Sequence, residues 1–373
     1  MPTKIIDTHT TAESQKLLQE WEEIHQTYNN PYSLYSSPEW FDAMQSIDLT
    51  HYRLGVSLSE SGVLQSVVPL ELRDKEVELS IRRKKLFTRT FSCAHVMGGE
   101  PVGDVSAEVY DSIFQKILSN ESKVEAIYFK CLEETSSFFT KLQSLKKYVY
   151  FVERESSKFI YIKLNKTFDE YLLNFKKKER YNLKRQCRIA LEESDDNLQL
   201  KRITETSQID HFVESSKYIL NNSWKSNTDE INHIFSEKNI KIYKMLAEKK
   251  FFRSYLLLDN NEPWAFALGF QHQGIFHYSN IAHNNKFAKL SPGAVLFYQM
   301  MEDLFEYDKP NILNFGIGDS QYKRRFGTDS FISSDVILFK KNVKNICSVQ
   351  LLKFIFVVKK MVLKILNSSE KKS

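Results

Sequence analysis

Two stretches between residues 276 and 327 combine bare backbone with reactive side chains. The first, FHYSNIAHNNKFAKLSPGAVL (276–296), reads as a strand, a loop and the start of a helix. Pro292 suits the first helical turn, where a missing N–H costs nothing, and Ser291 suits the cap before it. Gly293 and Ala294 leave that turn bare, so a ligand can approach its N–H groups, and an anion is what such a helix start favours. The second, NILNFGIGDSQYKRRFG (311–327), is a strand ending in Gly316 and Gly318, followed by Asp319, Tyr322, Lys323, Arg324 and Arg325. A third stretch, FKKKERYNLKRQCR (175–188), sets Lys176, Arg180, Lys184 and Arg188 at helical intervals on one face. That face is either a phosphate grip or a solvated charged surface.

The elements that must hold these residues repeat. Residues 52–74 alternate like two strands joined by a turn at Ser59 to Gly62, and residues 252–273 do the same around Asp259 to Pro263. Each hairpin leads to further strand-like sequence, then a helix (107–119 and 293–306), then an apolar strand (123–132 and 310–318). Identities barely match, so the repetition lies in pattern alone. It predicts two similar α/β units. Between them, 167–193 reads as one helix, with Leu172, Phe175, Leu183, Ala190 and Leu191 on one side. Thr167 with Glu170 makes a capping box at its start, and 207–224 reads as another helix.

A chain of 373 residues has room for two cores, and 42% hydrophobic with 27% charged residues is a globular balance. The net charge of +5 permits an anionic ligand without implying nucleic acid, and none is expected as a partner. Cys93, Cys131, Cys187 and Cys347 are far apart with no C-x-x-C spacing. This argues against a metal site or a disulfide framework and for a reducing cytoplasm. Residues 1–30 carry no apolar leader-like run, so the expected location is cytoplasmic.

Taken in order, SWK (223–225), PWAFALGF (263–270), YSNIAHN (278–284), SPGAVL (291–296) and FGIGDSQYKRRFG (315–327) resemble a known family. It is the CelD-type acyltransferases of cellulose and exopolysaccharide biosynthesis, members of the GNAT superfamily related to the FemABX aminoacyltransferases. The resemblance implies an α/β fold of tandem GNAT-like units, with mixed central sheets flanked by helices. Residues 1–155 would form a degenerate unit, 156–345 the acyltransferase domain, and 346–373 a basic amphipathic C-terminal helix and tail. It implies acetyl-CoA or another acyl-CoA as co-substrate, its pyrophosphate on the N–H groups of Gly293, Ala294 and Val295, beside Tyr278, Ile281 and Ser291. The family's glycine-rich Q/R-x-x-G-x-G/A loop is absent; Ala288, Lys289, Ser291 and Gly293 stand in its place.

GNAT-type transfer has an amine or hydroxyl attack a thioester carbonyl, with the developing oxyanion met by a backbone N–H on the strand Tyr278 to Ala282. Asp319 and His283 are then the candidates to take the proton, and Tyr322 the donor to the departing thiolate. Lys323 matches the lysine of the family's Y-K-x-x-F/W motif and would stabilise the oxyanion or bind the acceptor. By analogy with FemABX relatives, Lys177, Arg180, Lys184 and Arg188 would grip a phosphate-bearing acceptor, with Trp224 and Lys225 at its groove. The acceptor expected is a small or lipid-linked sugar, such as an amino-sugar precursor of surface polysaccharide. The alternatives are an aminoacyl-tRNA-dependent transferase and a non-catalytic GNAT-like scaffold.

The stretch SVQLLKFIFVVKKMVLKIL (348–366) is apolar and helix-favouring but contains Lys353, Lys359, Lys360 and Lys364. Four lysines argue against a spanning helix. Two readings stay open, an interfacial helix on an anionic inner leaflet, giving peripheral membrane contact, or a helix packed on the body or a partner subunit.

Overall fold

The computed structural model describes residues 2–6, 12–27, 30–48, 50–81, 84–164, 167–224, 226 and 230–370. The chain divides into two compact units, Met1–Ser157 with Ile332–Ser373, and Lys158–Phe331. In chain order the strands are β1 (Thr3–Ile6), β2 (Tyr52–Leu58), β3 (Leu64–Ile81), β4 (Lys84–Val96), β5 (Ala126–Glu133) and β6 (Tyr148–Lys163). They continue as β7 (Leu198–Ile203), β8 (Ser254–Asp259), β9 (Glu262–His272), β10 (Ile275–His283), β11 (Ile312–Ile317) and β12 (Asp329–Lys340).

In the first unit the strand order is β1-β2-β3-β4-β5-β12, antiparallel except for the parallel pair β4/β5. In the second unit, which takes only the end of β6 from Lys158 onward, it is β6-β11-β10-β9-β8-β7, antiparallel except for β10/β11. A parallel pair cannot be joined by a tight turn, so each needs a crossover element. The helix Ala107–Asn120 supplies it between β4 and β5, and the helix Pro292–Glu306 between β10 and β11. Both anticipated hairpins are present. The β8/β9 turn is the two-residue Asn260-Asn261, both left-handed (φ 46° and 69°), the geometry that matches strand twist.

Two sequence expectations change. Residues 167–193 do not form one helix: Phe168–Leu172 and Lys177–Glu193 are separate. The Thr167/Glu170 capping box is present, but Lys176 is extended (φ −60°, ψ 150°) and its N–H is taken by Glu179 Oε2 at 3.1 Å, starting a new helix. The break lets Phe175 turn into the core against Tyr171 and Phe326, with centroids at 5.3 and 5.9 Å. Residues 332–345 group with the first unit, because Ser333–Phe339 of β12 pair with β5. Strand pairing across some two hundred residues leaves no trace in local composition.

The core of the second unit joins Leu172, Phe175, Leu183 and Ala190 to Trp264, Phe276, Leu296, Met300 and Leu313. Arg253, 5% exposed, anchors the far end of the helix Pro292–Glu306. Its guanidinium donates to Tyr255 Oη (2.7 Å), Gln271 Oε1 (2.8 Å), Asp303 Oδ1 (2.9 Å) and the carbonyls of Tyr307 (2.7 Å) and Asp308 (3.0 Å). A buried charge so fully bonded is costly to break, and it fixes the helix whose other end faces the cavity below.

Candidate active site

β10 and β11 pair only through Ile275–His277 and Ile312–Asn314. Beyond that point both depart from their outer neighbours. β10 slips against β9 between Tyr278 and Asn280, leaving Ser279 as the extra residue of a bulge. β11 slips against β6 between Asn314 and Ile317, around Gly316 in the left-handed region (φ 67°). Among the described residues, no atom beyond its chain neighbours lies within 4 Å of where a Gly316 Cβ would stand. The gap is a cavity of about 570 Å³ entirely within the second unit.

One wall is the helix start. Ser291 is itself left-handed (φ 54°, ψ 48°), a conformation rare for a residue with a Cβ. Its carbonyl accepts from Ala294 N–H (2.9 Å) and Val295 N–H (3.2 Å), while its hydroxyl accepts from Gln186 Nε2 at 3.2 Å. Two of the three amides expected to face an anion are therefore turned into the helix. Gly293, the second helical residue, precedes the first intrahelical bond. A Cβ added to it would meet only His283 Nδ1, at 3.7 Å. Ser291, Gly293 and Ala294 line the cavity, whereas the Val295 side chain is wholly buried in the core.

The opposite wall is aromatic and cationic. Tyr278 and Tyr322 share a hydrogen bond between their hydroxyls at 3.1 Å, and their rings stack with centroids 6.5 Å apart. Burial pushes both phenols above their ordinary range, so both stay protonated. The short helix Gln321–Phe326 is capped by Ser320, whose hydroxyl accepts from Lys323 N–H. That helix aims the Lys323 ammonium at the splayed end of β11, where it donates to the carbonyls of Gly316 (3.2 Å) and Ile317. His283, half-buried on the β10 side, has its pKa lowered by burial and is neutral near pH 7.

Of the residues singled out from sequence, Tyr278, Ile281, His283, Ser291, Gly293, Ala294, Tyr322, Lys323 and Trp224 come together around the cavity. Trp224 is 68% exposed at its edge. Lys225 lies outside the described residues. Asp319 does not line the cavity; it is exposed and paired with Arg324 Nε at 2.6 Å. Lys177, Lys184 and Arg188 are exposed on their helix, with Arg188 facing Glu192 at 3.6 Å, and Arg180 donates to Phe175 O at 2.7 Å. None of these four lines the cavity. The lining residues not assigned a role from sequence include Ser279, Phe315, Ser320, Arg325 and Phe326. Arg325 was legible as part of the polar cluster, but a bulge at Ser279 has no sequence signal.

Mixed sheets flanked by helices, each holding one parallel pair around a crossover helix, define a GNAT-like α/β fold in two units. Residues 177–324 match the family described as "Acetyltransferase (GNAT) domain". No curated protein matches the chain by sequence. Among solved structures, FemX superposes with a TM-score of 0.59 at 15% identity, covering 92% of this chain and 98% of that one. L-PGS from Bacillus licheniformis gives 0.52 at 12% identity, covering 93% and 96%. A tandem GNAT protein from the clavulanic acid biosynthesis pathway gives 0.52 at 8% identity, covering 90% and 98%. At these identities the likeness is one of fold.

Proposed function

We propose that the second unit is an acyl-CoA-dependent acyltransferase acting on an amine or hydroxyl of a sugar precursor of surface polysaccharide. The observation that carries this reading is one cavity of about 570 Å³ that brings the bare helix start at Gly293 together with Ser279, His283, Tyr322 and Lys323. The match of residues 177–324 to an acetyltransferase domain supports the reaction class. The sugar acceptor rests on the CelD-type resemblance.

In this reading the Gly293 N–H and the helix N-terminus meet the donor's diphosphate, with Arg325 lining the same cavity. The backbone of the bulge at Ser279 meets the thioester oxygen as charge develops there. His283, kept neutral by burial, takes the proton from the acceptor as its nitrogen or oxygen bonds to the acyl carbon and the C–S bond breaks. Asp319, held outward by Arg324, is dropped from that role. Tyr322 retains its proton too firmly to hand it over, so it acts as a hydrogen-bond donor to the departing sulfur. Lys323 holds the carbonyls of Gly316 and Ile317 and with them the open end of β11, adding positive charge beside the reaction.

The test is ligand-dependent stabilisation. Acetyl-CoA should raise the thermal midpoint in proportion to the logarithm of its concentration, and inorganic phosphate alone should not match it. No shift at saturating acetyl-CoA removes the reading. The likeness to FemX over most of both chains favours aminoacyl transfer as the second reading. It predicts instead binding of charged tRNA with a steep salt dependence.

A further inference from the structure

The helix Val343–Glu370 has two apolar faces, and the fold uses only one. Val349 and Leu352, each 1% exposed, and Phe356 pack against Val77, Phe91, Phe151, Ile337 and Phe339. Phe356 meets Phe151 edge-on at 5.3 Å. On the other side Leu351, Phe354, Val357, Val358 and Met361 are between 40% and 67% exposed. At 3.6 residues per turn these five fall in an arc of about 120°, roughly opposite the buried face. An exposed, contiguous apolar strip of this kind marks an interaction surface.

The charges identify the occupant. Residues 343–369 contain five lysines (Lys344, Lys353, Lys359, Lys360 and Lys364) and no Asp or Glu. In helical projection Lys353 borders the exposed strip, about 40° from its edge, whereas Lys359 lies about 20° from the buried Leu352. The Lys359 stem lies along the inner face, its ammonium 5.8 Å from the Phe356 ring centroid. No helix among the described residues is long and apolar enough to cross a membrane. Pairing with a second copy would bring the Lys353 borders of two identical helices together without an acidic residue to answer them. An anionic bilayer supplies both needs, an apolar layer for the strip and negative headgroups for its border.

We propose that the helix Val343–Glu370 lies in the plane of an anionic lipid surface, its Leu351–Phe354–Val358–Met361 face inserted and Lys353 at the border of that face on the headgroups. This is independent of the chemistry assigned to the second unit.

The full chain should co-sediment with phosphatidylcholine vesicles containing about one-third phosphatidylglycerol, and not with pure phosphatidylcholine. Raising the salt should weaken the association, since exposed charges are screened. Phe354→Glu with Met361→Glu should reduce binding at least about tenfold, because inserting charge in place of apolar area costs both terms. Both positions are exposed, so the thermal midpoint should not move. Phe354→Trp supplies a second readout, a blue shift of emission on adding the anionic vesicles. The proposal is overturned if the wild type does not bind those vesicles, if the double variant binds as well as the wild type, or if the emission of the Phe354→Trp variant stays unshifted. It is equally overturned if the chain is a dimer in solution that the double variant converts to monomer.

Discussion

The two units build the same junction and treat it in opposite ways. In each, a parallel pair ends and the second strand carries a left-handed residue two positions later. That residue is Cys131 (φ 57°), after the pairing of Val96 with Phe129, and Gly316 (φ 67°), after the pairing of His277 with Asn314. Each crossover helix follows a serine, Ser106 or Ser291. In the first unit the chain itself fills the junction. Gly99 lies so close that an added Cβ would stand 2.4 Å from Lys130 O, and Cys131 N–H is bound by Asp335 Oδ1 at 2.8 Å. A cavity of about 260 Å³ remains nearby, lined by Glu100 and Tyr110. In the second unit a Cβ added to Gly316 would meet no other described residue within 4 Å beyond its chain neighbours, and the gap holds about 570 Å³. One frame can thus be a plug or a pocket, depending on where the loop after the first parallel strand goes.

The comparison breaks most cleanly with a pair of glycine substitutions. Gly293→Phe should fill the open cavity, lowering acetyl-CoA affinity and turnover by about a hundredfold or more while leaving the thermal midpoint near wild type. Gly99→Ala should do the reverse. It has a left-handed φ of 87° and no room, so it should cost about 2 kcal/mol or more of stability in denaturant titration and leave acetyl-CoA affinity alone. If Gly99→Ala costs activity without stability, the plugged reading of the first unit is wrong.

Lys323→Ala comes next, with kcat expected to fall about a hundredfold, the scale of losing one group that organises oxyanion stabilisation. Wild-type turnover in that variant would remove Lys323 from the site.

Glu100 sharpens the contrast through pH. Burial, with Glu133 nearby, raises its carboxyl to about 7 from an ordinary 4.5. A raised carboxyl binds its proton more tightly in the folded state, so this contribution is full below pH 4.5 and is lost as pH rises through 7. Glu100→Gln keeps an acceptor for Asn30 Nδ2, now at 3.0 Å, and carries no charge. It should therefore stabilise the protein by about 2 kcal/mol at pH 8 and leave stability unchanged at pH 4. An equal effect at both pH values would show that packing, not ionisation, is responsible.

Two further effects belong to the open site's own groups. Tyr322→Phe removes one hydrogen bond to the departing group and should lower kcat about tenfold with little change in KM. His283, its pKa lowered by burial, must be neutral to act. The acid limb of the rate profile should then lie below the ordinary imidazole range, and His283→Gln should abolish that limb along with most of the rate.

Local signals in the chain were accurate where the physics is local. The Asn260-Asn261 turn, the Thr167/Glu170 capping box and the Ser-Pro-Gly helix start all follow from residues adjacent in sequence. The association of Tyr322 and Lys323 with Gly293 was also legible, through the ordered motifs that carry the family resemblance. Spacing leaves both readings of Lys177, Arg180, Lys184 and Arg188 standing, because a charged helical face looks the same whether it meets a ligand or water; in the fold none of the four lines the cavity. Spacing misled for Ala294 and Val295, since an exposed amide at a helix start is available only if no preceding carbonyl takes it.

Composition and periodicity by themselves determined that this chain makes two α/β units with crossover helices, because turn chemistry and apolar spacing act within a few residues. Only the tertiary structure decided that β12 belongs with β5, that Ser279 bulges, and that Asp319 faces outward toward Arg324. Those outcomes depend on which carbonyl meets which amide across a sheet, and on which side of a splayed strand pair is left unfilled. Register and unoccupied volume belong to the folded molecule, and no stretch of sequence read alone contains them.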